Sequence, residues 1–436
     1  MRDLALLFIL LAMAWPAWRR PWLGVLGLAV LSYLHPQGYA TGFLHDAPVF
    51  FTLFAWVSLA ALHQTWRQRA WATLPWRRLL DWRVLGLLAL WAWFGVTSHY
   101  SLAPWDAWDK YREVLKILPP LLLTLLLIDT REKLHYLILS IALSFLLVAL
   151  KGGYWAVISG FHDRVYGPPG SQYGDNNEFA VALAMAIPLM LLWLREASTR
   201  GLRIVLPLGI ALAYAAVVSS WSRGGMLALG AMTLVLIWHS QRKLLAIPLL
   251  LVLVAVLFVQ LPDLWFGRME STASYQADES AAGRLQAWQV GIDFAAEHPF
   301  VGGGFNAWPA LTLREAGGLD WHSAYVKLLA EHGYIGLALW AGLLISTLVR
   351  LTWGVRRHPA WIREYGAMLQ ASLLAYLVGG ITLGIAYWEL PYLLVILAAL
   401  LSTFSPPVGK TPAPAESFVE FFYTANRRTP GLPVSA

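Results

Sequence analysis

The chain has 436 residues, 58% of them hydrophobic and 13% charged, with a formal net charge of +7. Soluble globular domains carry about 25% charged residues, so composition excludes that class and indicates an integral membrane protein. No cysteine is present, which excludes disulfides and thiolate metal sites.

The 24 Trp suit interfacial belts, where an aromatic body and a polar N–H both find partners. Apolar runs fall near 4–17, 22–35, 47–62, 84–98, 113–128, 134–150, 178–194, 203–220, 225–239, 244–261, 333–349, 366–386 and 389–403. A helix needs about 20 residues to cross a bilayer. The first two runs are short, and read as tilted spans or as one broken unit. The expected fold is all-α, a polytopic bundle of about 12 transmembrane helices. Arg19 and Arg20 follow the first run where a cleavage pattern would stand, so this end is expected to remain as an anchor.

Lys and Arg in short loops set orientation. Arg19/Arg20, Arg67/Arg69/Arg77/Arg78/Arg83, Arg131/Lys133, Arg195/Arg200/Arg203, Arg242/Lys243 and Arg350/Arg356/Arg357/Arg363 fall on one side when the runs are taken in turn. That side reads as cytoplasmic. The other, expected to be periplasmic, holds loops at 152–177 and 262–332. Loops of that size are usually functional. The expected division is therefore transmembrane helices over 1–261, a largely helical periplasmic loop over 262–332, C-terminal transmembrane helices over 333–403, and a flexible cytoplasmic tail over 404–436 with Arg427 and Arg428.

Within the first outer loop, "FHDRVYGPPGSQYGDNNEFA" holds His162, Asp163, Asp175 and Glu178. Such ligands can hold Mg or Mn, but no HExxH or DxD spacing is present, so no metal site is assigned. Asp175, Asn176 and Asn177 read either as hydroxyl-binding groups or as a plain cap of the helix beginning near Glu178. Arg223 stands in "SSWSRGGMLAL", a tight outer hairpin. An arginine there either snorkels to lipid phosphate or binds an anion, and Gly224 and Gly225 would admit a ligand close to the backbone.

In the second loop, Asp278, Glu279 and Ser280 are expected to cap a helix starting near Gly283. Leu285, Trp288, Ile292 and Ala295 would form its apolar face. Arg284 at that start opposes the helix dipole unless an anion binds; a salt bridge to Glu279 or Asp278 is the competing reading. Arg164, Arg268 and Arg314 are lesser outward arginines. Asp320 would cap the next helix, with His322 in its first turn. The helix end and nearby arginines would then keep the imidazole neutral and able to take a proton. A packing role is the alternative, and is the expectation for His298 and His332. No P-loop is present, and "VGGGF" lacks the context of a dinucleotide site. The cytoplasmic loops account for the positive charge, so nucleic acid is not an expected partner.

Three stretches carry a family resemblance: "SRGG" at 222–225, "GRLQAWQVGIDFAAEHPFVGGGFNAW" at 283–308 and "HSAYVKLLAEHGYIGLALW" at 322–340. Their order resembles the O-antigen ligase superfamily, which includes O-antigen ligases, related polymerases and bacterial protein O-oligosaccharyltransferases. The opening "MRDLALLFILLAMAWPAWRRPWLGVLGLAVLSYLHPQ" is similar to the branch called O-glycosylation ligases.

The resemblance implies a membrane-embedded glycosyltransferase of the bacterial inner membrane, inverting and independent of metal or other cofactor, with its active site facing the periplasm. A glycan would pass from undecaprenyl pyrophosphate to a hydroxyl of lipid A-core. By position, Arg223 and Arg284 match the pyrophosphate-binding arginines and His322 the catalytic histidine. Arg164, Asp175, Asn176, Asn177 and Trp288 are weaker substrate contacts. A polymerase or protein O-oligosaccharyltransferase would use the same donor. A polysaccharide flippase would instead show pseudo-symmetric halves, and no internal repeat is evident.

Overall fold

A computed structural model of the chain describes residues 2–69, 71, 74–263, 265–266, 279–313, 317–355 and 358–404. Arg268, Asp278, Arg314, Arg356, Arg357 and the tail from 405 lie outside the described residues. The principal elements are all helical. They are α1 (Arg2–Arg19), α2 (Pro21–Tyr33), α3 (Val49–Arg67), α4 (Trp82–His99), α5 (Pro104–Leu115), α6 (Leu118–Leu127), α7 (Arg131–Ile158), α8 (Asn176–Glu196), α9 (Arg200–Ser219), α10 (Arg223–His239), α11 (Lys243–Gln260), α12 (Glu279–Glu297), α13 (Trp308–Thr312), α14 (Ala324–Val349), α15 (Ala360–Gly379) and α16 (Glu389–Thr403).

The core forms around α8, whose apolar stretch from Phe179 to Met190 is buried on every side. It packs against α7, α9, α10 and α15. Small residues allow the close approach, as they do in membranes generally. A side chain at Gly379 of α15 would come within 2.6 Å of Val181 on α8. By contrast, α11 is apolar around its circumference, yet Leu244, Leu251, Val256 and Val259 are exposed. A helix like this has no stable place in water. Together with α8, it identifies a helical membrane protein.

Among the described residues, five helices are long and apolar enough to cross a membrane: Val49–Arg67, Arg131–Ile158, Asn176–Glu196, Arg200–Ser219 and Ala324–Gly354. Shorter apolar helices lie at Pro21–Tyr33, Arg223–His239, Lys243–Val259 and Glu389–Thr403. The described residues thus show a helical membrane protein, with five helices that are both long and apolar enough against the expected figure of about 12. One cause is the run at 113–128, which is two short helices rather than one. α5 is polar and amphipathic, and the chain turns at Lys116 before α6 begins with Pro119 and Pro120 at its start. The run at 366–386 is shifted: its helix runs from Ala360 to Gly379, with Arg363 and Glu364 near its start, and Gly380, Ile381 and Thr382 then turn the chain.

The expected span at 333–349 begins instead at Ala324 and breaks at Gly333, where φ is 67°. The break is satisfied from outside the helix. The Tyr334 N–H donates to Pro299 O, while Gly303 and Gly304 N–H donate to Ala330 O and Glu331 O, each at 2.8 Å. The "VGGGF" stretch thus supplies the hydrogen bonds that the broken helix lacks. It is a structural clamp between the loop after α12 and α14.

Gly333→Ala should lower the apparent Tm in detergent. A non-glycine residue at positive φ costs roughly 1–3 kcal/mol, and the added Cβ would also meet the Phe300 carbonyl. Gly342→Ala, on the same helix with nothing within 4 Å of the new Cβ, should leave Tm unchanged or raised. Equal thermal behaviour of the two variants would contradict the clamp.

Candidate functional site

The stretch from Asp320 to Ala324 is held at nearly every residue except His322. The Trp321 side chain is fully buried. The Trp321 backbone N–H donates to Asp320 Oδ1 at 2.7 Å, and the Trp321 carbonyl accepts the Trp288 indole N–H. Ser323 caps α14 through Val326 N–H, and Ala324 N–H donates to Gly380 O at 2.8 Å. His322 therefore precedes the cap instead of lying in the first turn, and Asp320 is not the N-cap. The fixed neighbours force His322 to φ 44°, a left-handed conformation uncommon outside glycine. Non-glycine strain of this kind clusters at functional sites.

The His322 ring is half-buried, and no hydrogen bond of the ring occurs among the described residues. Burial lowers its pKa from the ordinary 6.5. Arg284 and Lys327 push the same way, against the carboxylates of Asp320 and Asp175. The expected direction is thus correct but its main cause is not: burial leads, and the helix terminus is not required.

Arg284 is the sixth residue of α12, which begins at Glu279 and not near Gly283. The dipole conflict inferred from sequence disappears, because that effect fades after the first turn. The position of Arg284 comes from packing. Ala287, Gly291 and Ala295 form the buried face of α12, and a side chain at Gly291 would meet Trp321 at 2.8 Å and Val326 at 2.9 Å. Leu285 and Ile292, expected on that face, are 47% and 41% exposed. Trp288 sits one turn beyond Arg284 and anchors Trp321, so its visible role is structural.

Arg223 is the first residue of α10, half-buried behind the Ser222 cap. Gly224 and Gly225 admit Thr382 and Ala180 rather than a ligand. Gly225 presses α10 onto α8, and Gly224 presses it onto the 379–384 turn, which also receives Ala324 N–H and borders Asp320 and Lys327 at Gly384. Both arginines hold contacts within the protein.

The remaining candidates are mostly engaged elsewhere. Asp175 caps α8 through Asn177 N–H at 2.8 Å, and buried Asn176 donates to Ser220 O at 2.7 Å. The cap reading therefore describes these residues. Arg164 is exposed over the Trp221 ring. His298 stacks on Phe294. His332 is buried between Thr97 at 2.6 Å and Tyr387 at 2.8 Å. Among the described residues, His162, Asp163, Asp175 and Glu178 form no group that could hold a metal ion.

Sequence reasoning missed two buried charges. Lys327 Nζ lies 3.1 Å from Asp320 Oδ2. Glu331, fully buried, accepts Asn306 N–H at 3.1 Å and the Tyr387 hydroxyl. The signal was two ionisable residues four apart in "YVKLLAEHGYIG", since charges in a span are rare and usually functional.

Residues 208–341 match a family model described as O-antigen ligase. Residues 1–199 match a family of unknown function. None of the curated proteins searched matches the chain.

The environment of His322 predicts that its ring titrates below 6.5, so that the neutral form predominates at pH 7. NMR of labelled histidine, with His322→Asn for assignment, checks this. Arg284→Gln should move the midpoint upward. A midpoint at or above 6.5 in the unaltered protein would contradict the site's electrostatics.

Proposed function

The chain belongs to the O-antigen ligase superfamily through residues 208–341, and from that premise we propose that it moves a glycan from undecaprenyl pyrophosphate to a hydroxyl of lipid A-core. The observation that carries the reading is His322, a half-buried imidazole whose basicity is depressed by burial and by Arg284. A neutral imidazole beside a guanidinium suits a reaction in which a hydroxyl loses a proton while a phosphate gains charge.

In the proposed step, His322 takes the proton of the acceptor hydroxyl. The freed oxygen bonds to the anomeric carbon, and the bond from that carbon to the pyrophosphate oxygen breaks. The electron pair leaves with undecaprenyl pyrophosphate, whose charge Arg284 and Arg223 hold. Guanidinium matches phosphate oxygens bidentately. One displacement inverts the anomeric centre. General-base catalysis of this kind contributes roughly 10²–10⁴-fold. The two arginines supply the charge that a metal would otherwise provide, and the reading needs no cofactor.

The basic loops support an arrangement in which His322 faces away from the cytoplasm. We therefore assign the active site to the periplasmic face of the bacterial inner membrane. A protein or polysaccharide acceptor is the second reading. It is favoured by the likeness of the N-terminal stretch to O-glycosylation ligases, and it changes only the hydroxyl.

The test is transfer by purified protein from lipid-linked glycan, with lipid A-core or a protein offered as acceptor. Arg223→Ala and Arg284→Ala should each abolish transfer without loss of expression, and Arg→Lys should restore part of it. Excess chelator should leave the rate unchanged. Full activity of both alanine variants, or a chelator loss restored by Mg or Mn, would overturn the mechanism. Transfer to protein alone would move the acceptor to the second reading.

A further inference from the structure

A cavity of about 520 Å³ lies where the end of α2, the start of α3, the loop before α8 and the start of α16 meet. Small-molecule sites span roughly 300–1,000 Å³. Its wall includes Tyr33, His35, Gln172, Tyr173, Trp388 and Glu389, and none of His322, Arg284 or Arg223.

Glu389 is the unusual member. The Ser32 hydroxyl donates to Oε2 at 2.9 Å and the Tyr33 hydroxyl to Oε1 at 3.4 Å. Among the described residues no basic side chain pairs with it. An uncompensated carboxylate within a membrane bundle is costly, and marks a functional site by default. A carboxylate can accept about four hydrogen bonds, so acceptor capacity remains.

The wall around it is preset. The Glu389 N–H donates to Gln172 Oε1 at 3.2 Å, and the Tyr173 hydroxyl donates to the Tyr33 carbonyl. His35 takes a left-handed φ of 49°, a second strained histidine at a concave surface. Asp46 and Glu113 add further acidic lining against a single lysine, Lys116, so like charge disfavours phosphate. What remains is an acceptor group, amide and imidazole donors, and aromatic faces. That combination fits the hydroxyls and apolar ring face of an uncharged sugar.

We propose that this cavity is a saccharide subsite in which Glu389 accepts sugar hydroxyls against the aromatic and apolar lining. Its biological role rests on the glycan-transfer reading: the sugar belongs either to the donor glycan or to the acceptor.

The experiment uses full-length protein in detergent, with tryptophan fluorescence read against methyl glycosides of glucose, mannose, galactose and N-acetylglucosamine. At least one should give a saturable response. Glu389→Gln and, on the loop, Gln172→Ala should weaken it, the former by at least about tenfold, as expected for losing a hydrogen bond to a charged group. Arg284→Ala should bind the glycoside normally. In the transfer assay, Glu389→Gln should raise KM for only one substrate, and the affected substrate identifies whose sugar the cavity holds. No response to any glycoside, equal responses in both variants, or displacement by inorganic phosphate or phosphatidylglycerol bicelles would overturn the proposal. Variant-sensitive glycoside binding without glycan transfer would instead remove the transfer reading and leave the subsite standing.

Discussion

Two backbone hydrogen bonds, from Gly303 to Ala330 and from Gly304 to Glu331, determine where the candidate site can be. A backbone group left unpaired in hydrocarbon costs several kcal/mol, so a helix cannot break there without partners. α14 breaks at Gly333, and the glycine loop supplies them. With that loop fixed, α12 and the loop that follows it are tied to α14. α12 is pressed against Trp321, and the chain has little freedom between Trp321 and Ser323. The strained backbone of His322 follows from these attachments.

Buried polar groups extend the same attachment into the bundle. His332 links Thr97 of α4 to Tyr387, and Tyr387 donates to Glu331, which also holds the Asn306 backbone. Every one of these groups has a partner, as burial requires. Nearer the site, Lys327 neutralises Asp320 and so keeps that carboxylate from acting alone on His322. Arg284 then stands on the opposing side of the balance. Burial leads in holding the imidazole's pKa below its ordinary value, and Arg284 and Lys327 push the same way.

Much of this was legible in sequence where one signal acted alone. The runs at 84–98 and 178–194 lie within α4 and α8, because uninterrupted apolar residues there meet an apolar environment. At 113–128 the apolar count hid a change from an amphipathic helix to a short buried one. At Ala324–His332 sequence did expect helix after Asp320, but Lys327, Glu331 and His332 kept that stretch out of the apolar run at 333–349, since only the fold shows their partners. For the proposed site, Arg284 and His322 were singled out by residue type and pattern. The arguments from helix termini failed because both depended on boundaries, at Glu279 and Ala324, that sequence placed a few residues away. Gly224, Gly225 and the "GGG" stretch show the same limit. Glycine marks a close approach, but the sequence does not say whether a ligand or a neighbouring helix makes it.

The central claim is that His322 takes a proton and does not merely hold the donor. The most direct measurement compares His322→Ala with the unaltered protein for both lipid-linked donor binding and single-turnover transfer. The account predicts that donor binding persists, because Arg284 and Arg223 remain, while transfer falls by at least about a hundredfold, the lower range for losing a general base. Parallel loss of donor binding and turnover would make His322 a pyrophosphate ligand, and retention of both would contradict the account outright.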